Sequence, residues 1–325
     1  MSLTLTGCNY KEKILKSPSG SNFLVIIGTA FQMINDQSQV NPKRIVSLSP
    51  SNTEMLFAVG AGNKVVGVTD HCDYPEELLQ KLKKHQTVSV GGYWNPSVDS
   101  IKSLKPDLIV ASSHHCTVKT NYCKTNCIRK CEQTIKIAKK LESLGFNVLI
   151  LSPHSLDDVL DQILLIGNVT GNVMEAEALV LNLKKRINAV TINLKKTSKK
   201  PKVYFEVWNN PYISVNSKTW IGNLLDLAGG TNIFADSVTE WPIISSKEII
   251  KKNPDIMIFP VIPDVPRFWG SFEDIKKRQG WYNVNGILNN RLYEIPRDFI
   301  SRPGPRLVDA LELLVTMINH SNKQF

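Results

Sequence analysis

The sequence predicts an α/β protein of two similar lobes joined by one long helix, and three observations predict it. A helix, a Pro-Asp step and an apolar run occur together twice, as VDSIKSLKPDLIVAS (Val98 to Ser112) and SKEIIKKNPDIMIFP (Ser246 to Pro260). A second pair, LFAVGAGNKVVG (Leu56 to Gly67) and LLDLAGGTNIFA (Leu224 to Ala235), matches position by position and keeps the same order. Between the copies, Ala176, Val180, Leu183, Ile187, Val190 and Leu194 fall at alternating steps of four and three, which makes one apolar stripe along a helix.

The elements follow in chain order. Residues 1–41 read as a tether or signal remnant with a short hairpin. Leu5-Thr6-Gly7-Cys8 looks like a bacterial-type lipobox, whose cysteine would be lipidated. A complete signal has a basic start and a longer apolar run before the cysteine. Either the chain begins further upstream, or Cys8 is an ordinary cysteine. Asn9 to Ser21 suits a tether, and Phe23 to Ile34 a hairpin or two short strands. Residues 42–151 form the first lobe. In each repeat the proline stops a helix, and the run after Asp107 or Asp255 reads as a buried parallel strand. Residues 152–200 are linker helices, with a break at Val169 to Asn172 before the long one. Residues 201–325 form the second lobe, opened by Pro201 and the strand KVYFEVW. A stiff helical joint predicts rocking through a small angle rather than wide closure.

Composition narrows the function classes. The 325 residues are 42% hydrophobic and 21% charged, enough apolar material for two cores. The net charge of +10 comes from scattered lysines, with a cluster KKTSKKPK, and no basic stripe is interleaved with aromatics. That disfavours nucleic acid and leaves a solvated surface or an approach to an anionic membrane. No stretch reaches the roughly 20 apolar residues of a membrane-spanning helix. There is no phosphate loop, Gly-x-Ser-x-Gly elbow or His-Glu-x-x-His, so an enzyme is not expected. Glu54, Asp73 and Glu206 read as isolated structural carboxylates.

The block SLSPSNTEMLFAVGAGNKVVGVTDHCDYP (Ser47 to Pro75) resembles the helical-backbone binding proteins of importers for cobalamin, iron-siderophores and haem. The resemblance runs from about Pro42 to His320. It includes VGGYWNPSVDSIKSLKPDLIVAS, VYFEVWNNPYISV, LLDLAGGTNIFAD with WPIISSKEII, and RDFISRPGPRLVDALELL. Trp241-Pro242, Asn210-Pro211, and Asp298-Phe299 with Arg302 and Arg306 resemble the cobalamin branch. The resemblance implies two Rossmann-like lobes with a ligand cleft between them. It implies a monomeric solute-binding subunit, extracytoplasmic and anchored or periplasmic, with no cofactor of its own. Its ligand would be cobalamin or a related corrinoid, delivered to ABC permease and ATPase subunits; an iron-siderophore or haem is the alternative.

The same resemblance places ligand contacts at His71, Tyr93, Trp94, Trp241 and the stretch Asp298, Phe299, Ile300, Ser301 and Arg302. A corrinoid is large, flat and partly apolar, which aromatic faces and a few polar groups suit. His71 stands where cobalamin binders carry a tyrosine, as an axial metal ligand or a hydrogen-bonding rim residue. Trp208, inside its strand, reads as packing; Trp220, Trp269 and Trp281 carry no assignment. Docking in this family uses one acid per lobe. Asp99 matches the first; the second position holds Lys247, with Glu248 one residue on, so either a shifted helix start gives Glu248 the role or this lobe docks differently. Both acids would also suit a helix N-terminus electrostatically.

His114, His115, Cys116, Cys123, Cys127 and Cys131 form an insertion unusual for the family, with cysteines every four residues from Cys123. They could form disulfides, bind a soft metal or remain free thiols, and Cys72 could join them. A cytosolic metal- or redox-responsive protein on the same fold is the rival these residues support.

Overall fold

The computed structural model describes residues 41–112, 127–192, 194 and 200–319, together with the backbone of 13–16 and 22–25. Within the helix at 127–143, side chains are described from residue 134 onward, residue 135 excepted. Cys8, His114, His115, Cys116 and Cys123 lie outside the described residues. The N-terminal hairpin sits earlier than the sequence suggested: Lys13–Lys16 pairs antiparallel with Asn22–Val25. Ile14 and Leu15 between lysines give too short an apolar run to read as a strand.

The first lobe is a parallel sheet of β1 (Ile45–Ser47), β2 (Val65–Val68), β3 (Val88–Ser89), β4 (Leu108–Ser112) and β5 (Val148–Leu151). Its spatial order is β3-β2-β1-β4-β5. Four helices connect these strands: α1 (Pro50–Ala58), α2 (Glu76–Lys83), α3 (Val98–Ser103) and α4 (Cys127–Ser143). Both faces of the sheet are covered, so β4 and β5 are buried along their whole length and read as unbroken apolar runs. Cys72 is a free, buried thiol between the Thr53 and Thr69 hydroxyls, at 3.2 and 3.4 Å, which corrects its suggested disulfide.

Two helices follow, α5 (Leu156–Thr170) and α6 (Val173–Thr191). Ser155 caps α5 through the Asp158 amide, and Gly171 ends it in the left-handed conformation at φ 75°. The α6 stripe buries Ala176, Val180 and Leu183, with Ile187 and Val190 half-buried. At Gly167 the two helices approach so closely that a Cβ would lie 2.3 Å from that of Ala176.

The second lobe is a parallel sheet of β6 (Lys202–Phe205), β7 (Thr231–Asn232), β8 (Ile256–Val261) and β9 (Leu292–Pro296) in the order β7-β6-β8-β9. Its helices are α7 (Trp220–Leu227), α8 (Ser246–Lys252), α9 (Phe272–Lys276), α10 (Asn285–Leu288), α11 (Arg297–Ser301) and α12 (Leu307–Asn319). The sequence repeats occupy matching places. Gly60 after α1 and Gly229 after α7 both hold positive φ, 78° and 84°. The repeated aspartate does the same job twice. Asp107 accepts the Lys43 and Arg44 amides at 2.8 and 2.9 Å, and Asp255 accepts the Lys202 amide at 2.8 Å. Each carboxylate thereby ties the start of its own strand to the neighbouring strand's first residues.

One apolar core runs without interruption from Ile45 and Val110 through Leu160 and Ile163 of α5 to Leu224 and Leu311 of the second lobe. Helix α5 touches α1 on one side and α7 on the other, and the Leu156 amide donates to Asn223 Oδ1 at 3.0 Å. Helix α6 packs on α12, where Arg186 bridges Asp309 and Glu312. The joint is therefore a packed helix pair, which resists wide hinge motion. Among the described residues no helix is long and apolar enough to cross a membrane.

Candidate functional site between the lobes

In a parallel sheet all strands end on the same edge, and the loops leaving that edge carry the variable side chains. The two lobes turn these edges toward each other. Arg306, just before α12, donates to Glu54 of α1, Nε to Oε2 at 2.9 Å and Nη2 to Oε1 at 2.5 Å. Arg302, after α11, pairs with Asp73 beyond β2 and lies 3.5 Å from Glu54. The Arg306 guanidinium also lies over the Tyr74 ring at 4.1 Å and the Phe299 ring at 5.5 Å. Gly304 brings backbone against backbone here; its Cβ position is 3.5 Å from the Ser51 carbonyl. On the far side, His154 beyond β5 faces Glu240 beyond β7, Nδ1 to Oε1 at 3.8 Å.

Burial and charge compete at each acid. Burial pushes the Glu54 carboxyl up, and the hydrogen bonds and charges of Arg306 and Arg302 pull it back. Burial alone would raise Asp73 too, but the hydrogen bond and charge of Arg302 outweigh it and hold that carboxyl below the usual range. Glu240 has weaker help. Burial pushes it up to about 7, with only the Lys218 charge opposing.

The structure places the sequence candidates on these edges. His71 is exposed in the turn after β2. Tyr93 and Trp94 form the tip of a small hairpin, Gly91–Gly92 with Asn95–Pro96, after β3; their rings meet edge to face at 4.5 Å. On the second lobe Trp241 is half-buried and meets Trp220 edge to face at 5.3 Å. The Trp220 indole donates to the Ile300 carbonyl at 2.7 Å, which fixes the aromatic pair to α11. Within α11, Phe299 and Asp298 are half-buried and Ser301 is exposed, whereas the Ile300 side chain is wholly buried in the core. Arg302 is committed to the lobe contact through Asp73, Glu54 and Asp298.

Three sequence readings change. Trp208 is 46% exposed rather than packed inside a sheet, because its strand belongs to a two-residue hairpin beyond β6. Glu54 and Asp73 are not isolated but form the ionic contact between lobes. Glu206 is likewise paired: it lies fully buried and accepts two hydrogen bonds from Arg278 and one from Tyr204. Reasoning from sequence missed Glu240 and His154 altogether, since neither stands in a repeated motif. Asp99 is exposed in the first turn of α3. Glu248 is exposed too, but it turns back to accept from the Ser245 amide and hydroxyl at 2.7 and 2.8 Å. Cys127 and Cys131 belong to α4. Among the described residues no group of His, Cys, Asp or Glu is arranged to hold a metal.

Comparison with known proteins agrees with this architecture. Residues 45–299 match the family described as periplasmic binding protein. An uncharacterized ABC transporter substrate-binding lipoprotein of Bacillus subtilis, YvrC, is 32% identical over 281 residues, covering 85% of this chain and 80% of its own. The vitamin B12-binding protein of Vibrio cholerae is 26% identical over 307 residues, covering 92% and 98%. A crystal structure of a possible iron-binding (periplasmic solute-binding) protein from Staphylococcus epidermidis superposes with a TM-score of 0.70 at 30% identity, covering 86% of this chain and all of that one. The chain belongs to the periplasmic binding protein family.

Proposed function

We propose that the chain is the extracytoplasmic solute-binding subunit of an ABC-type importer, that it takes cobalamin or a related corrinoid between its lobes, and that it hands this ligand to a membrane permease. The observation that carries the reading is the pair of facing strand edges. The first-lobe edge presents Tyr74, Tyr93 and Trp94, and the second presents Trp208, Trp241 and Phe299, beside the Glu54–Arg306 contact. Aromatic faces on both walls suit a flat, partly apolar ring system, and the few polar groups would orient it. Similarity to the vitamin B12-binding protein across nearly the whole length supports the corrinoid choice.

An iron chelate is the second reading, and the likeness to the possible iron-binding protein of Staphylococcus epidermidis favours it. Titration of the purified chain with cyanocobalamin, haemin and a ferric siderophore, followed by absorbance and intrinsic fluorescence, separates the two. Saturable binding of cyanocobalamin alone supports the corrinoid reading; saturable binding of the siderophore alone replaces it. His71, exposed after β2, gives a further readout: an imidazole ligand to cobalt or iron would change the visible spectrum, and His71→Ala would remove that change.

A further inference from the structure

The outward face of α6 carries a second stripe. Met174, Leu181, Lys185 and Ile192 follow one another at steps of seven, four and seven, which puts them on one side of the helix. That side lies opposite the buried stripe of Ala176, Val180 and Leu183. Met174 is 80% exposed, Leu181 57% and Ile192 66%. Ala178 stands on the same side and is exposed too. Single apolar side chains on a surface are ordinary, but these share one line about 27 Å long at the helical rise per residue. The line is an apolar face without a covering element.

Both ends of α6 lie where strands begin. The helix follows Gly171, whose Cβ position is 3.5 Å from Asn41, just before β1. Lys64 ties the same corner together, its Nζ donating to Asn41 Oδ1 at 2.7 Å and to the Thr170 carbonyl at 2.6 Å. Beyond the other end, Leu194 lies 3.8 Å from the Cβ position of Gly229, just before β7. The cleft sits where the strands end, so α6 spans the opposite side of the molecule. Residues 1–40 enter the fold at Asn41, beside the Met174 end of the stripe.

Charge decides what fits this face. Glu175 and Glu177 are exposed near the helix start. From Ala178 to Phe205, however, the sequence holds seven lysines, one arginine and no acid. Lys184 and Lys185 stand exposed at the middle of the stripe. A two-fold contact with a second copy, centred there, would set these lysines against their own symmetry mates. A layer of anionic headgroups takes them instead. The lysine stems lie along the apolar line while their ammonium groups reach phosphate, and Met174, Leu181 and Ile192 enter the interfacial layer.

We propose that the outer face of α6 is a docking surface for an anionic lipid bilayer, on which the chain rests with its cleft turned away from the membrane. This does not depend on which solute the cleft takes. Asp99 opens α3 on the cleft side. Under the importer reading, resting on lipid and docking onto the permease therefore use opposite faces and exclude each other.

The test uses the full chain carrying Cys8→Ser, so that no lipid anchor contributes. It is sedimented with vesicles of phosphatidylcholine, alone or mixed with phosphatidylglycerol. The expected result is binding to the mixed vesicles that falls with added salt, and far weaker binding to phosphatidylcholine alone. Leu181→Ser with Ile192→Ser should weaken binding by about tenfold, and Lys184→Glu with Lys185→Glu by about tenfold or more. Val238→Ser, which alters an apolar side chain 92% exposed beyond β7, should change nothing. Unchanged circular dichroism and thermal midpoint verify that each variant folds. Absence of binding to the mixed vesicles overturns the proposal, and so does binding that neither α6 pair alters. A parent that is dimeric in solution and monomeric after Leu181→Ser with Ile192→Ser would make the face an interface between copies and overturn it too. Titration of the same chains with solute reads the cleft separately, so either reading can fail without the other.

Discussion

Arg306 of the second lobe grips Glu54 of the first through two hydrogen bonds, at 2.9 and 2.5 Å, and stacks on Tyr74 and Phe299 with the same guanidinium. The Glu54 side chain is almost entirely out of water, so its charge needs this partner. A buried pair adds little over an apolar replacement, but removing one member strands the other. Arg306→Met should therefore lower unfolding stability by about 3 kcal/mol, and Arg306→Met with Glu54→Gln should recover much of that loss. Urea unfolding of the three chains measures it. A single variant as stable as the parent would show that the contact does not hold the lobes.

The second contact between lobes is sensitive to acidity. Burial raises the Glu240 carboxyl from its usual 4.5 to about 7. A raised acid contributes stability that is fully present below the unfolded value and is lost as pH rises through the folded one. Between pH 4.5 and 7 the parent should lose stability relative to Glu240→Gln, and the difference should level off above that window. Thermal midpoints of both chains from pH 4 to 8 test this. Parallel curves across the range would place Glu240 in contact with water.

Much of the fold was legible because repeats record architecture. The Pro-Asp steps at Asp107 and Asp255, and the glycines at Gly60 and Gly229, mark the same strand junctions in both lobes. The α6 stripe was equally plain. The role of α5 was not: a helix buried on both sides loses the one-sided pattern that periodicity detects. The aromatics proposed for the cleft could be named from the sequence, but the charge pairing between the lobes could not. Glu54 and Arg306 are 252 residues apart, and nothing local to either announces a partner. Trp208 looked like core because KVYFEVW reads as a single strand, whereas that strand ends at Phe205 and Trp208 begins a separate two-residue strand.

Gly167 tests the linker. Glycine to alanine inside a helix ordinarily stabilises by about 1 kcal/mol. Here the added Cβ would stand 2.3 Å from Ala176 Cβ and 3.0 Å from the Asn172 carbonyl oxygen. Overpacking of this kind costs roughly 1–3 kcal/mol, so the net change should be destabilising. Ala176→Gly added to Gly167→Ala should relieve part of it. A Gly167→Ala chain with a higher thermal midpoint than the parent would mean that α5 and α6 do not pack this closely.

The first turns of α3 and α8 are not equivalent in charge, and this bears on how the proposed permease is engaged. Ser97 caps α3 through the Ser100 amide, and Ser245 caps α8 through the Glu248 amide, so the two helices begin at equivalent places. Counting from each cap, Asp99 and Lys247 are equivalent, and Glu248 is one residue further on. No shift of the helix start brings Glu248 into the place of Asp99. Its carboxylate instead closes a capping box on Ser245, and those hydrogen bonds hold it below the usual carboxylate range. Asp99 is the exposed acid in its first turn, without such a box. Charges at a rim act on encounter and orientation more than on affinity. Asp99→Lys should therefore slow uptake in a reconstituted importer by about tenfold while ligand affinity stays within about twofold. Glu248→Ala should lower stability through the lost half of the capping box and leave uptake near the parent rate. Equal slowing by both substitutions would assign Glu248 to docking after all, and loss of ligand binding in Asp99→Lys would move Asp99 from the docking rim to the cleft.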